Sequence, residues 1–294
     1  MYDSLPGMEG AGVRVMRAFG GNQVPQFDPF LLLDEFHTDN PDDYLPGFPW
    51  HPHRGMETIT YILQGRVDHS DSLGNVGTIR AGEVQWMTAG SGIMHQEMPQ
   101  KTSSGAMRGF QIWVNLPAKH KMTPPRYRTL HQPDIPMVEL ASGARAKVVS
   151  GVLDAVEGPV RGIVTDPEFF DVVLPAASTF THDVKPGYTA FAYVLDGTAH
   201  FDDRRESEPG PDEAEQWSAS ASAGPCGREN VILYEYHGDR VVITSLNTPV
   251  RFLYLSGRPL REPVAWRGPV VMNSDEDLRI AFRELQNGTF IKKG

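Results

Sequence analysis

Apolar and aromatic residues occur along the chain in short segments that end at glycine or proline. Residues 57–63, 109–115 and 189–195 are rich in Val, Ile, Tyr, Phe, Trp and Thr, and each is followed within two positions by Gly or Pro. Such segments are typical of β-strands that end in turns. The pattern predicts an all-β protein.

Two of the predicted strand pairs are similar to each other. Residues 61–67 (Tyr-Ile-Leu-Gln-Gly-Arg-Val) and residues 193–199 (Tyr-Val-Leu-Asp-Gly-Thr-Ala) align almost residue for residue, 132 positions apart (193 minus 61). A repeat of this size predicts a duplicated β-barrel domain. We predict an N-terminal domain over residues 1–131 and a C-terminal domain over residues 132–294. The proline-containing stretch 120–136 suits a linker, because proline cannot donate to a sheet ladder.

One stretch and one helix depart from the strand pattern. Residues 202–228 are dominated by charged and small residues, so we predict a polar loop insertion there, with Cys226 inside it. Near the end of the chain, Ser274 can cap a helix with an acidic first turn, and Gly288 can end it. The apolar stripe of this helix would consist of Leu278, Phe282 and Leu285.

Composition narrows the classes of protein. The 294 residues include 40% hydrophobic residues, which is enough to form a core and excludes a disordered chain. The net charge of −10 disfavours direct nucleic-acid binding, and one cysteine excludes an internal disulfide or a cysteine-based metal cage. The single cysteine predicts an intracellular protein, and the sequence contains no leader-like and no membrane-spanning segment. We expect a monomer.

Candidate chemistry resides in two short motifs, His51-Pro52-His53 and His95-Gln96-Glu97. In a strand, residues i and i+2 point to the same face, so each motif can direct two ligands into one barrel. Three imidazoles and one carboxylate suit Fe, Mn, Ni, Cu or Zn, and they leave positions for water, substrate or O2. The carboxylate is not settled by spacing: Glu57 shares the parity of the first pair if the strand is continuous, whereas Arg54 and Gly55 interrupt it.

Longer stretches around these motifs resemble the pirin family of the cupin superfamily. The similar residues are 28–36, 51–58, 85–99 and 111–116 in the N-terminal half, and 257–263 and 268–273 near the end. The resemblance covers nearly the whole chain apart from the insertion at 202–228.

The resemblance implies a bicupin, with two stacked jelly-roll-like β-barrels and a short C-terminal helix. It implies one iron, as Fe2+ or Fe3+, in the N-terminal barrel, with other divalent metals as alternatives. By position, the ligands are His51, His53, His95 and Glu97, and Glu57 becomes a neighbouring group. The C-terminal barrel is implied to be metal-free, and the isolated residues His182, His200 and His237 agree with this because none belongs to such a pair.

Three further residues flank the motifs. Trp50 precedes His51 and would either narrow the mouth of the pocket, stack on an aromatic substrate, or simply pack. Met94 is a candidate for an apolar wall. We expect Arg54 at the surface, in a salt bridge with Asp34 or Glu35.

The resemblance implies two functions of different classes. The first is a quercetin 2,3-dioxygenase-type reaction of O2 with a flavonol or a similar aromatic polyol, in which Glu97 takes the proton of the substrate hydroxyl. The alternative is a redox-sensing regulatory module without turnover, whose partner is a transcription factor or a metabolic enzyme. In that case Arg54, Asp34 and Glu35 would sense the oxidation state of iron. The location would be cytoplasmic, and nuclear in a eukaryote.

Overall fold

The structure is a computed structural model, and it describes residues 1–201 and 224–292. The chain is built almost entirely of strands. In chain order these are β1 (Tyr2–Asp3), β2 (Leu5–Glu9), β3 (Val13–Phe19), β4 (Phe30–Thr38), β5 (Phe48–His53), β6 (Met56–Gln64), β7 (Arg66–Asp71), β8 (Val76–Arg80), β9 (Val84–Thr88), β10 (Ile93–Pro99), β11 (Met107–Asn115), β12 (Arg126–Leu130), β13 (Met137–Glu139), β14 (Arg145–Ser150), β15 (Val152–Leu153), β16 (Val156–Glu157), β17 (Glu168–Leu174), β18 (Thr179–Asp183), β19 (Thr189–Asp196), β20 (Ala199–His200), β21 (Asn230–Leu233), β22 (Arg240–Ser245), β23 (Val250–Gly257), β24 (Ala265–Arg267) and β25 (Val270–Met272).

Helical structure is confined to short segments and one longer helix. The α-helices are α1 (Val24–Phe27) and α2 (Asp275–Gln286), and 3-10 turns lie at Gly21–Gln23, Pro41–Asp43, Ala118–His120 and Gln132–Asp134. The predicted C-terminal helix is confirmed: the Ser274 hydroxyl accepts a hydrogen bond from the Asp277 amide, and Gly288 follows with a φ of 70°. None of the helices in the described part of the chain is long and apolar enough to span a membrane.

The chain divides into two compact units. The first unit comprises Ser4–Ile135, Gly162–Asp166 and Gly257–Gly294, and the second comprises Met1–Asp3, Pro136–Arg161 and Pro167–Ser256. The C-terminal stretch, with β24, β25 and α2, therefore belongs to the unit formed by the N-terminal half. The division of the sequence into domains at residue 131 stays a prediction.

Both units are built on the same plan. The larger sheet of the first unit has the order β12-β9-β6-β11-β4-β3-β2, and that of the second has the order β1-β21-β19-β23-β17-β14-β13. The two repeats found in the sequence lie on corresponding strands, since Tyr61 is on β6 and Tyr193 is on β19. The smaller sheets are β5-β10-β7-β8 and β18-β22-β20. The duplication predicted from the sequence is therefore present in the strand order.

Apolar side chains pack in the interior of each unit. In the second unit, inward residues of both sheets, such as Phe170, Phe180 and Phe252, pack in one cluster. In the first unit, the apolar side chains form several separate clusters, of which one consists of Val13, Val15, Phe36, Tyr44, Ile62, Val67, Ile79 and Met107. Polar side chains line another part of this interior, as described below.

The predicted insertion falls mostly outside the described residues, which resume at residue 224. Cys226 is described: it is buried, and its backbone pairs with that of Ala199.

Buried polar contacts attach the C-terminal stretch to the rest of the first unit. Lys121 is 1% exposed, and its Nζ donates to Gly55 O (2.8 Å), Asn115 Oδ1 (2.6 Å) and Val271 O (3.0 Å). Gly55 has a φ of 81°, and a Cβ there would lie 1.9 Å from Val271 O, so only glycine permits this approach. The Lys121 side chain thus joins three segments of the unit.

We expect Lys121→Met to lower the free energy of unfolding by about 3 kcal/mol, because three buried acceptors lose their donor. Urea denaturation measures the change. Lys119→Met is the matched control, since Lys119 is exposed in the same turn, and it should have little effect. Equal losses in the two variants would contradict the assigned role of Lys121.

Burial lowers the pKa of Lys121 from 10.5 to about 7. Between these values the unfolded chain binds a proton that the folded protein does not, so stability should rise with pH over this range. The expected rise in wild type relative to Lys121→Met is at most about 1.4 kcal/mol per pH unit. Urea denaturation at several pH values tests it, and a flat or falling difference would contradict it.

Candidate metal centre

Strands β5 and β10 bring three histidines together inside the first unit. His51 lies directly opposite His95 in the antiparallel register, and His53 lies two residues along β5 on the same face. One ring nitrogen of each residue lies within 4.8 Å of those of the other two. His53 and His95 are buried, and His51 is half-buried. This is the grouping that the two sequence motifs predict.

Backbone carbonyls determine which ring nitrogens of His51 and His53 are free. His51 Nδ1 lies 2.9 Å from Pro49 O, and His53 Nδ1 lies 3.3 Å from Pro269 O. A carbonyl only accepts, so in each ring Nδ1 carries the proton and Nε2 carries a lone pair. The two Nε2 atoms are 3.0 Å apart. Two lone pairs at this distance repel each other, and a cation between the rings would remove the repulsion.

The third ring has two nitrogens without a partner. His95 is fully buried, and neither its Nδ1 nor its Nε2 has a hydrogen-bond partner among the described residues. Leaving such atoms unpaired in an interior is costly. The three rings therefore fit a metal ion, because their nitrogens converge and those of His95 have no other partner in the described part of the chain; imidazole nitrogens suit Zn, Cu, Fe and Ni.

The three imidazoles are also in the protonation state that metal binding needs. Burial lowers the pKa of His51, and it lowers the pKa values of His53 and His95 well below the usual value, with the neighbouring rings adding to the effect. The rings are neutral at pH 7, so a metal does not have to displace protons from them.

A β-bulge gives β5 its local shape. His95 pairs with His51, but Glu97 pairs with Phe48, so β5 has one residue more than β10 between these pairs. An extra residue leaves part of the strand outside the ladder and redirects the neighbouring side chains. The Pro49 carbonyl lies in this bulge, where it accepts from His51.

Glu97 lies outside the three-histidine group. Its Oε1 is 2.7 Å from Thr60 Oγ1, and the Thr60 hydroxyl is also 3.1 Å from Gln111 Oε1. Burial raises the pKa of Glu97 to about 7, and the Thr60 hydrogen bond partly offsets the effect. The carboxyl group lines an otherwise mainly apolar pocket whose volume of about 10 Å³ is room for one water molecule. Its role as the fourth ligand stays a proposal.

Glu57, the other carboxylate that the sequence leaves open, is directed elsewhere. The strand β5 ends at His53, and β6 begins at Met56 after Arg54 and Gly55, so the alternation of faces is interrupted. Thr60 reaches Glu97, so Glu57, an odd number of residues away on β6, lies on the opposite face. There its Oε1 accepts from Thr88 Oγ1 at 2.6 Å.

The flanking residues have different surroundings. Trp50 is 51% exposed beside His51. Met94 is half-buried and lies on the face of β10 opposite to His95 and Glu97, so it does not face the three rings.

The histidines of the second unit are dispersed: His182 Nε2 lies 3.0 Å from Glu168 Oε2, His200 is half-buried and His237 is exposed.

The expectation for Arg54 is wrong. Arg54 is 1% exposed and pairs with Glu284 (2.8 Å) and with Phe290 O (2.8 Å), both in the C-terminal stretch. Asp34 and Glu35 are buried too, and they pair with Arg17 and Arg108 respectively. The sequence did not indicate that residues more than 200 positions away cover this turn.

One pair near the rings is missing from the sequence-based site. His69 and Asp71 are buried on β7, and the register places them opposite Glu97 and His95, on the same face. The His69 ring is 5.4 Å from the His95 ring. The signal was present in the sequence, since His69-Ser70-Asp71 has the same i, i+2 spacing as the two recognised motifs.

Comparisons with known proteins agree with this architecture. A sequence profile of the pirin family matches residues 12–114, and a profile of the pirin C-terminal cupin domain matches residues 169–291. A Pseudomonas aeruginosa protein named "Putative quercetin 2,3-dioxygenase" is 41% identical over 98% of this chain and 95% of its own length. A pirin-like protein of Caulobacter vibrioides is 42% identical over 97% of this chain and 95% of its own length.

Solved structures share the fold. The crystal structure of a quercetin 2,3-dioxygenase from Acinetobacter baumannii has a TM-score of 0.82 at 29% identity, with 98% of this chain and 96% of that chain covered. A bacterial pirin from Escherichia coli, solved in complex with nickel(II), has a TM-score of 0.61 at 23% identity, with 87% and 95% covered, and shows the fold alone.

The strand order and the matched domains define an all-β protein with two cupin domains and a short C-terminal helix, as the resemblance implied. Its first unit contains the three-histidine group. The chain belongs to the pirin family.

We expect His51→Ala to abolish or strongly reduce metal binding, because it removes one of the three converging nitrogens. Glu57→Gln is the matched control and should retain wild-type metal content, because Glu57 faces the other side of its sheet. Metal analysis and calorimetric titration measure the outcome. Full metal occupancy in His51→Ala would contradict the assignment of the site.

Proposed function

We propose that the protein is an iron-dependent dioxygenase that uses O2 to oxidise a flavonol or a similar aromatic polyol, in the manner of a quercetin 2,3-dioxygenase. The observation that carries the proposal is the convergence of three imidazoles in a cupin domain, one of which, His95, has both ring nitrogens without a hydrogen-bond partner among the described residues. The names of the Pseudomonas and Acinetobacter relatives support the substrate class. We propose His51, His53, His95 and Glu97 as the ligands.

The side of His51 is the proposed approach for a substrate. His51 is half-buried whereas the other two rings are buried, so the group is accessible from this side. Trp50, the residue before His51, is 51% exposed and would offer an aromatic surface to a planar ligand if its ring turns toward that side. The pocket beside Glu97 is far too small for a flavonol, so the substrate would approach the rings from the His51 side.

The protein residues would bind the substrate and manage one proton. When bound, the metal would supply the Lewis-acid and redox chemistry of the reaction. When it is not bound to the metal, Glu97 has a pKa that burial raises to about 7, which suits a group that accepts a proton from a substrate hydroxyl. In that position the Thr60 hydroxyl would hold the Glu97 carboxyl group.

The residues that the alternative function would use are not at the surface. A redox-sensing module needs surface charges that respond to the metal, and the sequence suggested Arg54, Asp34 and Glu35. All three are buried and paired. A protein partner and the location in the cell stay predictions.

We expect the purified protein to consume quercetin and release carbon monoxide when an anaerobic mixture is exposed to O2, with a rate that follows iron content. The flavonol absorbance and carbon monoxide release measure the reaction. His95→Ala should lose at least about 100-fold of the activity, as expected when the metal is no longer held. Glu57→Gln serves as the control and should stay active. Stoichiometric iron without turnover of any flavonol would refute the proposal.

A further inference from the structure

A belt of polar side chains lines the interior of the first unit next to the three rings. On β10 and β7, Glu97 lies directly opposite His69. On the facing sheet, Thr60 of β6 lies between Gln85 of β9 and Gln111 of β11. The hydrogen bond from Thr60 to Glu97 joins the two sheets. These five residues therefore lie at one level of the interior.

Several atoms of this interior have no partner among residues 1–201 and 224–292. They are His69 Nδ1, both amide atoms of Gln85 and both ring nitrogens of His95. His69, Gln85 and His95 are each at most 1% exposed. Unpaired buried polar atoms are costly, so sequences retain them where something else satisfies them. A polar ligand or water inside the first unit would do so.

His69 is held in one orientation by Asp71. The Asp71 carboxylate accepts from the amides of Leu73 (2.9 Å) and Asn75 (3.0 Å) and from the Asn75 side chain (2.8 Å). His69 Nε2 lies 3.3 Å from the same carboxylate. An ionised carboxylate only accepts hydrogen bonds, so the proton of this contact is on His69 Nε2.

His69 Nδ1 is the ring nitrogen left for another partner. The N–H on Nε2 is used on Asp71, Nδ1 has no partner among the described residues, and in a neutral imidazole the second nitrogen is an acceptor. Its lone pair on Nδ1 needs a donor.

The ring is placed beside the metal centre and has little room to move. One face of His69 stacks on Tyr127, with ring centroids 4.7 Å apart, and the ring lies 5.4 Å from that of His95. Tyr127 is in turn held by a hydrogen bond from Thr129. The pair thus presents an oriented acceptor to whatever occupies the space beside His95.

We propose that His69, oriented by Asp71, accepts a hydrogen bond from a hydroxyl group of the ligand bound at the three-histidine group. The site would then select ligands with two adjacent oxygens, of which one binds at the histidines and the other carries the hydrogen. Catechols and α-hydroxycarbonyl compounds have this arrangement, whereas their methyl ethers lack the donor. The inference rests on the proposed function only in that an oxygen ligand binds at the three rings.

The test uses zinc-loaded protein, because zinc has no redox chemistry and the readout is binding without turnover. The probes are nitrocatechol and its monomethyl ether, nitroguaiacol, titrated by visible absorbance. We expect wild type to prefer nitrocatechol, and His69→Phe to reduce the ratio of the two dissociation constants by about tenfold. Comparing ratios cancels the difference in chelation between the probes.

Asp71→Asn tests the orientation of the ring. The asparagine keeps an oxygen for the turn at Leu73 and Asn75 but can donate to His69 Nε2, which transfers the ring proton to Nδ1. We expect zinc binding to persist and the preference for nitrocatechol to fall as in His69→Phe. His131→Phe is the matched control, because His131 forms a similar pair with Glu83 at 2.9 Å but is exposed; its ratio should equal that of wild type.

A spectroscopic signature separates recognition from a purely structural role. Nitrogen NMR of the zinc-loaded protein should show the His69 Nδ1 resonance shift when nitrocatechol binds and stay in place with nitroguaiacol. Two results would overturn the inference. One is a ratio of the two dissociation constants that is unchanged in zinc-loaded His69→Phe or Asp71→Asn; the other is a Nδ1 resonance that does not shift when nitrocatechol is added. Because none of these readouts requires O2, lack of flavonol turnover would refute the proposed function and leave this inference standing.

Discussion

The first unit depends on two neutral imidazoles held with their lone pairs facing each other. His51 and His53 each direct Nδ1 at a backbone carbonyl, which places the proton of each ring on Nδ1. Their Nε2 atoms lie 3.0 Å apart. Such an arrangement is unfavourable by itself and becomes favourable with a cation. Binding of a metal ion at this group would therefore stabilise the folded state of the region.

The residues that impose this arrangement come from distant parts of the sequence. Pro49 lies in the bulge of β5, while Pro269 belongs to the C-terminal stretch. Arg54 and Lys121 anchor that stretch through buried hydrogen bonds to Phe290 and Val271. The C-terminal stretch is thus part of the candidate metal centre, because it orients one of the candidate ligands.

Surroundings, and not residue type, separate the two carboxylates near the rings. Glu57 and Glu97 are both buried glutamates beside strands that carry histidines. Glu57 is bound to Thr88 on one face of β6, whereas Glu97 is bound to Thr60 on the other. His69 of β7 and Gln85 of β9 face the same side of the interior as Glu97. Hydrogen-bonding groups and candidate ligands therefore share one enclosed space.

The sequence by itself determined the all-β class, the duplication, the C-terminal helix and the three histidines. These follow from local rules: alternation along strands, capping of a helix, and the i, i+2 spacing of His51 and His53 and of His95 and Glu97. Tertiary structure alone decided that Glu57 faces away, because the turn at Arg54 and Gly55 resets the alternation. It also decided that Arg54 is buried under α2 and that Pro269 orients His53, since contacts across more than 200 positions leave no periodic trace in a single sequence. His69 lies between the two cases: its spacing to Asp71 was visible, but only the register of β7 with β10 places it beside His95.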